Sequence, residues 1–380
     1  MQILHTLSGL NLGGLEYRVL EQASWLQKHG HAVAIAAPPK SESLALARSW
    51  GLATIGMDFN SPYSWSGILR LRQIVKDLRI QVIDAHGTSD AKASALCRDL
   101  CSLVRTRHFS RPLRTTWRRR LEWHLGCHRV ITTSHGGARD IVAAGFAGQH
   151  RINVVGEWAD HGFFVDVDKL ALRHAVRKEL KLDPAAFVVA TVGMLRPDKR
   201  QEDLLRVVHV LRQRGLPARA LVVGMTTGAT TDYGRKLHDL VAELGIGEYV
   251  TFAGHREDIS HVIHAADALL VPSINEAWSR VVPEAYASRC PVVASAVGGL
   301  PEIVHPGVTG WLAPAGDVAR FADHLAWIWS HPDQVARIVE QARAFAELHL
   351  MFSQKMAETL SAYQAAMEDA GSARNVEAIA

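Results

Sequence analysis

The feature that most constrains the fold of this chain is a regular alternation of short apolar runs with longer amphipathic stretches. The runs have the length of buried strands, and stretches such as 16–28 and 66–78 place apolar residues at helical spacing. Alternating βα units of this kind predict a parallel sheet with helices on both faces. In the first half of the chain the predicted strands are 3–7, 32–37, 53–57, 81–85, 104–108, 129–133 and 152–155.

The same pattern starts again in the second half, after a polar and irregular stretch at 156–168. Because 380 residues exceed one ordinary core, we predict two domains, at 1–160 and 161–350. The segment 351–380 is a lone amphipathic helix with a tail, and it has no strand partner, so it must dock on one of the domains. The predicted strands of the second half are 187–192, 218–223, 249–252, 268–271, 291–295 and 311–312.

Composition excludes several classes of protein. Hydrophobic residues make up 48% and charged residues 21% of the chain, which is typical of a folded globular protein. The four cysteines lack the spacing of a disulfide scaffold or a zinc site, which favours a reducing cytoplasm. The N-terminus does not have the pattern of a signal peptide, and no apolar run is long enough to span a membrane.

The most informative loop follows the predicted strand 268–271. Ligands of open α/β sheets bind beyond the carboxyl ends of the strands, so chemistry is expected in such loops. Glu276 lies in this loop and Glu284 at the start of the next helix, and carboxylates accept hydrogen bonds from the vicinal hydroxyls of sugars or ribose. A plain βα loop with a capping acid is the alternative for this pair alone. Backbone N–H groups near that helix start could hold an anion, namely those of Trp278, Ser279 and Arg280.

Two further loops suggest phosphate binding. Arg196 and Lys199 follow the predicted strand 187–192, and cations fixed beside a departing diphosphate lower the barrier to its release. Solvated loop cations are the alternative. Gly13 and Gly14 follow the first predicted strand, where missing side chains let backbone N–H groups approach a phosphate. A plain turn is the alternative for this pair.

These segments resemble the retaining GT-B glycosyltransferases of family 4 (glycosyl transferases group 1). The two glutamates match the E-x7-E signature of that family, and the resemblance extends over nearly the full chain. It implies an α/β GT-B fold, in which two Rossmann-like parallel-sheet domains face an interdomain cleft and the C-terminal helix returns to the first domain. The first domain would take the acceptor and the second the donor. The other matching segments are 13–16, 266–273, 297–304 and 307–312.

The resemblance also implies roles for single residues. Glu276 would contact hydroxyls of the donor sugar, and Glu284 the ribose of the nucleotide. His108, at the end of a predicted strand, would lie near the donor sugar, with a purely structural histidine as the alternative. His86 is a weaker candidate of the same kind. The loop that would bind the nucleotide base contains Gly254, His255 and Arg256.

The chain departs from the family pattern in two places. Many members have an arginine directly after the glycine that here is Gly193, whereas this chain has Met194. Arg196 would then supply the charge from a different backbone position. In the linker the family often has Pro-Asn-Gly-[Val/Ile]-Asp, of which only Asp160 persists here.

A basic segment points to an anionic partner. Between Arg105 and Arg129 there are eight arginines and one acid, in a chain whose net charge is only +4. Trp117 and Trp123 are interleaved with them, which favours contact with an anionic membrane or with an anionic, lipid-carried acceptor. A solvated helix face is the alternative. The segment contains no nucleic-acid-binding motif.

We therefore expect a glycosyltransferase that moves a sugar from a UDP- or GDP-sugar to a saccharide or lipid-linked acceptor with retention of configuration. It would act in cell-surface polysaccharide or lipopolysaccharide synthesis, in the cytoplasm and at the inner face of the cell membrane. No Asp-x-Asp metal loop is evident, because Asp166-Val167-Asp168 falls in the linker. We therefore expect neither a metal nor another cofactor. The alternatives are a catalytically inactive, sugar-nucleotide-binding partner subunit, and an epimerase or hydrolase on the same fold.

Overall fold

The computed structural model describes residues 1–61, 63–108, 113–165 and 167–377, which form two compact units. The first unit comprises Met1–Gly156 and the C-terminal segment from Ser353, and the second comprises Glu157–Phe352. The sequence predicts crossings between the two domains at 160 and 350, whereas in the structure the chain enters the second unit after Gly156 and leaves it after Phe352. Residues after Gly156 belong to the second unit because Trp158 is fully buried there, with its ring centroid 4.8 Å from that of Phe352.

The first unit is built on a parallel sheet of seven strands. In chain order these strands, β1 to β7, are Gln2–Thr6, Ala32–Ala37, Ala53–Gly56, Val82–Ala85, Ser102–Arg107, Arg129–Thr132 and Ile152–Val154. Their order across the sheet is β3-β2-β1-β4-β5-β6-β7, so the carboxyl ends of β1, β4 and β5 are neighbours. The helices between them, α1 to α6, are Gly14–Lys28, Glu42–Ser49, Trp65–Asp77, Thr88–Ala95, Trp117–Gly126 and His135–Ala143.

Both faces of this sheet are buried, because successive side chains of a strand point to opposite faces. On β1, Ile3 packs in one cluster with Val19 and Leu20 of α1. Its neighbour Leu4 packs in the other cluster, with Leu71 of α3. The near-continuous apolar runs of the sequence therefore correspond to strands that are covered on both sides.

The second unit repeats this plan with six parallel strands. The strands β8 to β13 are Phe187–Val192, Ala218–Val223, Val250–Gly254, Ala268–Val271, Val292–Ser295 and Trp311–Ala313. Their order is β10-β9-β8-β11-β12-β13, which makes β8 and β11 neighbours. The helices α7 to α15 are His161–Phe164, Lys169–Glu179, Gln201–Gln213, Thr231–Glu243, Ile259–Ala265, Val281–Ala287, Leu300–Ile303, Val318–Ser330 and Pro332–His349.

An ionic anchor joins a helix to this second sheet. Asp267 accepts hydrogen bonds from the Arg177 guanidinium and from the Val188 backbone N–H, each at 2.7 Å. Arg177 is itself buried and also donates to the carbonyl oxygen of Ala265 at 2.9 Å. The segment 266–273, noted for its resemblance to the family, therefore has a structural task at its start as well as a loop at its end.

The C-terminal helix α16, Phe352–Glu377, packs on the first unit. The Tyr363 hydroxyl accepts a hydrogen bond from Gln22 Nε2 and donates one to Asp84 Oδ2, both at 2.6 Å. Arg129 and Asp369 form an ion pair at 2.6 Å. The helix therefore completes the layer that covers one face of the first sheet.

The predicted fold class is confirmed, since each predicted strand overlaps an observed one and both sheets are parallel. Among the described residues, no helix combines the length and the apolar character needed to cross a membrane. The four cysteines all lie among the described residues, are buried, and form no disulfide with one another.

Candidate functional site

Glycines stand at the carboxyl ends of three strands of the second sheet and pack backbone against backbone, since Gly193 and Gly224 directly follow β8 and β9 and Gly254 ends β10. A Cβ on Gly224, which has φ +137°, would lie 1.9 Å from the carbonyl oxygen of Gly193. The Gly224 N–H donates to the carbonyl of Gly254 at 2.8 Å. Only glycine fits at position 224, and the carboxyl ends of β8, β9 and β10 therefore form a surface with few side chains.

A lysine and a glutamate meet beside this surface. Lys199 closes a 3₁₀ turn after β8, and its Nζ lies 2.5 Å from Oε2 of Glu276 in the loop after β11. The same oxygen accepts a hydrogen bond from Ser273 Oγ at 3.1 Å. The Lys199 and Glu276 side chains are 25% and 12% exposed, so both are partly desolvated but reachable. They lie together because β8 and β11 are adjacent parallel strands.

These groups line a pocket at the strand ends of the second unit. Gln201 is buried there and donates to the Met194 carbonyl at 2.9 Å, while its Oε1 has no partner among the described residues. The pocket offers a cation, a carboxylate, hydroxyls and an amide to a polar ligand. The polar side chains that line it belong to Thr191, Lys199, Gln201, Ser273, Glu276 and Ser279.

The loop that contains Glu276 is held by the pair Gly298-Gly299. A Cβ on Gly298, which has φ +54°, would lie 1.7 Å from the carbonyl oxygen of Glu276. The Gly299 N–H donates to that same oxygen at 3.1 Å. The Gly298-Gly299 segment, which resembles the family, therefore fixes the backbone position of the loop that contains Glu276. The sequence pattern alone did not indicate this contact.

The end of that loop is strained. Ser279 has φ +124°, a conformation that residues other than glycine rarely adopt. Residues with such strained backbone conformations are often found at functional sites. Trp278 beside it is buried, and its Nε1 has no partner among the described residues. Arg280 donates to Glu284 at 3.0 Å, and Glu284 is only 7% exposed. The two glutamates of the signature therefore differ in setting, since Glu276 lines the pocket and Glu284 lies buried in α12.

Arg196 is paired with a neighbouring carboxylate. Its guanidinium makes two hydrogen bonds to Asp198, at 2.5 and 3.0 Å, and it is 41% exposed. It is not among the residues that line the pocket. The structure therefore brings Lys199 and Glu276 together, and it shows Arg196 neutralised by a neighbour two positions along the chain.

The loop expected to bind a nucleotide base also contains an ion-pair cluster. Gly254 ends β10 with φ +66°, and His255 after it is exposed. Arg256 donates hydrogen bonds to Asp258 and to Glu179, and the shorter hydrogen bond to each carboxylate is 2.5 Å long. The hydrogen bonds that Asp258, and then Glu179, accept from Arg256 raise the pKa of Arg256. The Arg256 side chain is therefore occupied, which leaves the backbone of the loop for a ligand.

Gly13 and Gly14 lie at the start of α1 in the first unit. The Gly13 N–H donates to Glu16 Oε2 at 2.9 Å, so this expected phosphate donor already caps the helix. Burial raises the pKa of Glu16. A Cβ on Gly14 would meet nothing within 4 Å, so space for a ligand is open at that position.

His108 directly follows β5 and is joined to other histidines. His86 Nδ1 lies 3.0 Å from His108 Nε2, and His86 Nε2 lies 3.0 Å from His5 Nδ1. Burial lowers the pKa of His5 and of His86 to about 3, and it lowers the pKa of His108 as well. His5 was not predicted from the sequence, although it stands as a polar residue inside the apolar run of β1.

The same region contains one group of side chains that could hold a metal ion. The ligand atoms of His5, Asp84 and His86 lie within 4.8 Å of one another, and all three residues are buried. Asp84 already accepts a hydrogen bond on each oxygen, from Thr106 and from Tyr363, both at 2.6 Å. Independence from metal in the reaction remains a prediction.

The basic segment divides into buried and exposed parts. Arg105 is buried, pairs with Glu122 at 3.3 Å and lies 4.0 Å over the ring of Trp123, which is also buried. Arg111 lies outside the described residues. These arginines therefore differ in setting, since Arg105 is buried and contributes to the fold whereas others are exposed. The exposed arginines of the segment include Arg114, Arg118 and Arg119.

Helix α5 presents an exposed apolar side beside those arginines. Trp117, Leu121 and Leu125 are four positions apart along the helix and are 70%, 50% and 57% exposed. Trp65 and Leu69 of α3 add two more exposed apolar side chains to the same unit, at 80% and 63%. Such a combination is unusual for a surface that faces only water.

Comparison with known proteins accounts for both units. The model of the family described as Glycosyltransferase Family 4 matches residues 12–161, and that of Glycosyl transferases group 1 matches residues 173–345. The chain is 38% identical over 222 residues to a D-inositol 3-phosphate glycosyltransferase of Mycobacterium sp. (strain KMS). The matched region covers 57% of this chain and 49% of that protein. The chain thus spans about half the length of the curated relatives it matches.

Two solved structures share the fold. A glycosyltransferase from Rickettsia africae has a TM-score of 0.86 at 18% identity, over 96% of this chain and 98% of its own. HepE of Anabaena, crystallised with UDP and with UDP-glucose, has a TM-score of 0.82 in its UDP complex at 22% identity, over 95% of this chain and 100% of its own. With matches to both halves in the right order, the chain belongs to the GT-B glycosyltransferases of family 4, the glycosyl transferases group 1.

Proposed function

We propose that this chain is a retaining glycosyltransferase that moves a sugar from a nucleotide-sugar donor to a saccharide or lipid-linked acceptor. The observation that carries the proposal is the contact of Lys199 with Glu276, at 2.5 Å, beside Ser273 at the strand ends of the second unit. A fixed cation stabilises the charge that develops on a departing diphosphate. A carboxylate beside it accepts hydrogen bonds from the hydroxyls of the sugar being transferred.

The proposed contacts follow from this arrangement. Lys199 binds the diphosphate, Glu276 binds hydroxyls of the donor sugar, and Glu284, with Arg280 at 3.0 Å, binds the ribose. The loop of Gly254, His255 and Arg256 contacts the base through its backbone, because the Arg256 side chain is held in ion pairs. Arg196 adds to the diphosphate site only by exchanging Asp198 for the ligand, so its contribution is smaller than that of Lys199.

The proposed transfer needs no side chain as a general base. The bond from the anomeric carbon of the sugar to the diphosphate oxygen breaks, and its electron pair stays on the diphosphate. The acceptor oxygen bonds to the same face of that carbon, which retains the configuration. The proton of the acceptor hydroxyl passes to the leaving diphosphate. Lys199 supplies the positive charge that other transferases obtain from a metal ion.

We favour a UDP-sugar as donor, since UDP and UDP-glucose occupy HepE. The first unit would bind the acceptor. The curated relatives are named for the phosphorylated polyol D-inositol 3-phosphate, and an anionic acceptor of this kind suits the exposed arginines of the first unit. A role in cell-surface polysaccharide or lipopolysaccharide synthesis is part of the proposal.

We also propose that the exposed side of α5 contacts the inner face of an anionic membrane. Trp117, Leu121 and Leu125 provide apolar area, and Arg118 and Arg119 provide charge next to it. A basic residue near an anionic bilayer contributes about 1 kcal/mol, and a tryptophan suits the headgroup region. This contact would place the first unit at a lipid-linked acceptor.

The proposal is tested with a panel of UDP-, GDP-, ADP- and CMP-sugars. One donor class should raise the melting temperature, because binding to the native state stabilises it. That donor should then be consumed only when an acceptor is present, and NMR of the product should show the donor's anomeric configuration. Consumption without acceptor would indicate an epimerase or hydrolase, and binding without turnover an inactive partner subunit. No stabilisation by any donor would contradict the proposal.

A further inference from the structure

Three imidazole rings in the first unit are joined end to end. His5 lies within β1, His86 directly follows β4, and His108 directly follows β5, three strands that are adjacent in the sheet. The nitrogen-to-nitrogen distance is 3.0 Å in both pairs. The ring centroids are 5.2 Å apart in both pairs as well. The two contacts therefore have the same geometry.

This geometry is that of hydrogen bonds. Two imidazoles joined along an N–H···N line place their centroids about as far apart as is seen here, whereas nitrogens this close on one shared metal ion would bend the rings toward each other. Asp84 Oδ2 lies 3.9 Å from His5 Nδ1 and 3.6 Å from His86 Nε2, so it is near the first pair of rings. The pair of His86 and His108 has the same nitrogen-to-nitrogen distance, so the spacing does not depend on a carboxylate beside the pair. The carboxylate oxygens of Asp84 are also taken by Thr106 and Tyr363.

Two contacts of 3.0 Å between ring nitrogens require an N–H on one side of each contact, and burial favours the neutral form of the rings, in which each has one N–H. Burial and then the charge of the nearby Arg18 guanidinium lower the pKa of His86, and burial, then His86 and then Arg18 lower that of His108. The pKa of His5 is lowered by burial and then by His86. In a row of three neutral imidazoles, the two hydrogen bonds must both donate from His5 toward His108 or both donate from His108 toward His5. Either direction leaves one free donor at one end of the row and one free acceptor at the other.

The two ends differ in access. His5 Nε2 and His108 Nδ1 are both buried atoms without a hydrogen-bond partner among the described residues. His5 is completely enclosed, whereas His108 is partly exposed at the strand ends. Among backbone groups a buried N–H without a partner is rarer than a buried carbonyl without one, and we apply the same preference to the ring nitrogens. The favoured direction therefore leaves the acceptor on fully enclosed His5 and the donor on His108, because His108 alone of these two residues has exposed surface, and a sugar oxygen would have to approach from there to accept from the buried Nδ1–H.

We infer that His5 and His86 are positioning residues that hold His108 with its proton on Nδ1, ready to donate a hydrogen bond to an oxygen of a sugar substrate. His5 Nδ1–H donates to His86 Nε2, His86 Nδ1–H donates to His108 Nε2, and His108 Nδ1–H points to the ligand. This inference rests on the proposed function in that His108 contacts a substrate sugar. What it adds is the fixed tautomer and the two residues that fix it.

The tautomer is read directly by NMR. Long-range ¹H–¹⁵N spectra of the full chain, labelled with ¹⁵N-histidine, report which ring nitrogen of His108 is protonated, with His108→Gln to assign its signals. We expect Nδ1–H in the wild type. In His86→Leu the hydrogen bond from residue 86 to His108 Nε2 is lost, and the tautomer of His108 should shift toward Nε2–H. In His86→Asn a side-chain N–H can still donate to His108 Nε2, and the wild-type tautomer should persist.

Kinetics provide the second measurement. His86→Leu should lower kcat about 10- to 100-fold, the size expected for one misdirected hydrogen bond. The affinity for UDP should not change, because the proposed UDP contacts lie in the second unit. His86→Asn should recover most of kcat. Equal losses of kcat in the two variants would indicate a merely structural role and overturn the inference.

Two other outcomes would also overturn it. One is a wild-type His108 protonated on Nε2, and the other is one equivalent of metal bound by the purified chain and lost in His5→Asn. A wild type that transfers no sugar from any donor would instead contradict the proposed function, because the NMR result does not depend on turnover.

Discussion

Lys199 Nζ and Glu276 Oε2 lie 2.5 Å apart, although 77 positions separate the two residues in the chain. Their loops meet because β8 and β11 pair as neighbouring parallel strands. Each side chain neutralises the other, and both remain partly exposed at the pocket. A diphosphate that binds there competes with Glu276 for Lys199, and the displaced carboxylate is then free to accept hydrogen bonds from the sugar.

Lys199→Ala should lower kcat/KM about 10²- to 10³-fold, which is the usual effect of removing one charge-stabilising donor. The affinity for UDP should also fall, because the diphosphate loses its cation. Lys236→Ala, which removes an exposed lysine of α10, is the matched control and should leave both values unchanged. Steady-state kinetics and calorimetry measure the two effects, and a variant that behaves like the control would remove Lys199 from the site.

Arg196→Ala should have a smaller effect, about tenfold or less in kcat/KM. Its guanidinium is 41% exposed and already paired with Asp198, and exposed ion pairs contribute little net energy. The same kinetic assay ranks the two cations. A loss from Arg196→Ala as large as that from Lys199→Ala would show that Arg196 abandons Asp198 for the ligand.

Gly298→Ala should abolish most activity, because its Cβ would lie 1.7 Å from the Glu276 carbonyl oxygen and displace the glutamate loop. Gly307→Ala is the matched control, since Gly307 also has a positive φ, at +72°, but a Cβ there meets nothing within 4 Å. The control should lose only about 1–2 kcal/mol of stability, the cost of a left-handed conformation. Activity and thermal unfolding of the two variants, compared side by side, separate displacement of the loop from backbone strain.

Stability of the first unit should fall as the pH drops from 6.5 toward 3. The pKa of His5 and of His86 is about 3 in the folded state and 6.5 in the unfolded chain, so the unfolded chain binds more protons in that range. Asp84 and Asp90 act in the opposite direction as the pH falls through their raised folded-state pKa, because burial raises the pKa of each carboxyl above its value in the unfolded chain. His86→Asn should therefore reduce the pH slope by about 1.4 kcal/mol per pH unit.

Hydrogen exchange of amides in the first sheet at pH 5 and 6.5 measures this slope, since it reports on one unit at a time. The same slope in His86→Asn and wild type would mean that His86 titrates normally in the folded state.

Trp117→Ala should weaken binding to vesicles that contain phosphatidylglycerol, by about tenfold, because an exposed ring at the membrane interface is lost. Binding of the wild type should also weaken with salt, since the arginines act through screened charge. Trp50→Ala removes another exposed tryptophan of the same unit and serves as the control. Vesicle co-sedimentation compares them, and equal binding by both variants would exclude this side of α5 as the contact.

Much of the fold followed from apolar runs in the sequence. The strands Phe187–Val192, Ala218–Val223 and Ala268–Val271 were predicted with their observed bounds, because strands buried on both faces form uninterrupted apolar runs. The crossing between the units was harder to place. Trp158 lies in a polar stretch, and its burial depends on stacking with the distant Phe352, a contact that no local pattern indicates.

The candidate site was predictable where it is local in sequence. Glu276 and Lys199 follow predicted strands, and their meeting follows from strand adjacency. The ion pair of Arg196 with Asp198 was not predicted, since charge alone does not show which partner a side chain chooses. The histidine row depends on the order of strands in the sheet, so His5 gave only the weak signal of a polar residue inside an apolar strand.

The most direct test of the account is an experimental structure of the chain with UDP. We predict that the diphosphate lies within hydrogen-bonding distance of Lys199 Nζ, with the ribose hydroxyls on Glu284 and with Lys199 moved away from Glu276. A diphosphate bound elsewhere, with the contact between Lys199 and Glu276 intact, would contradict the account.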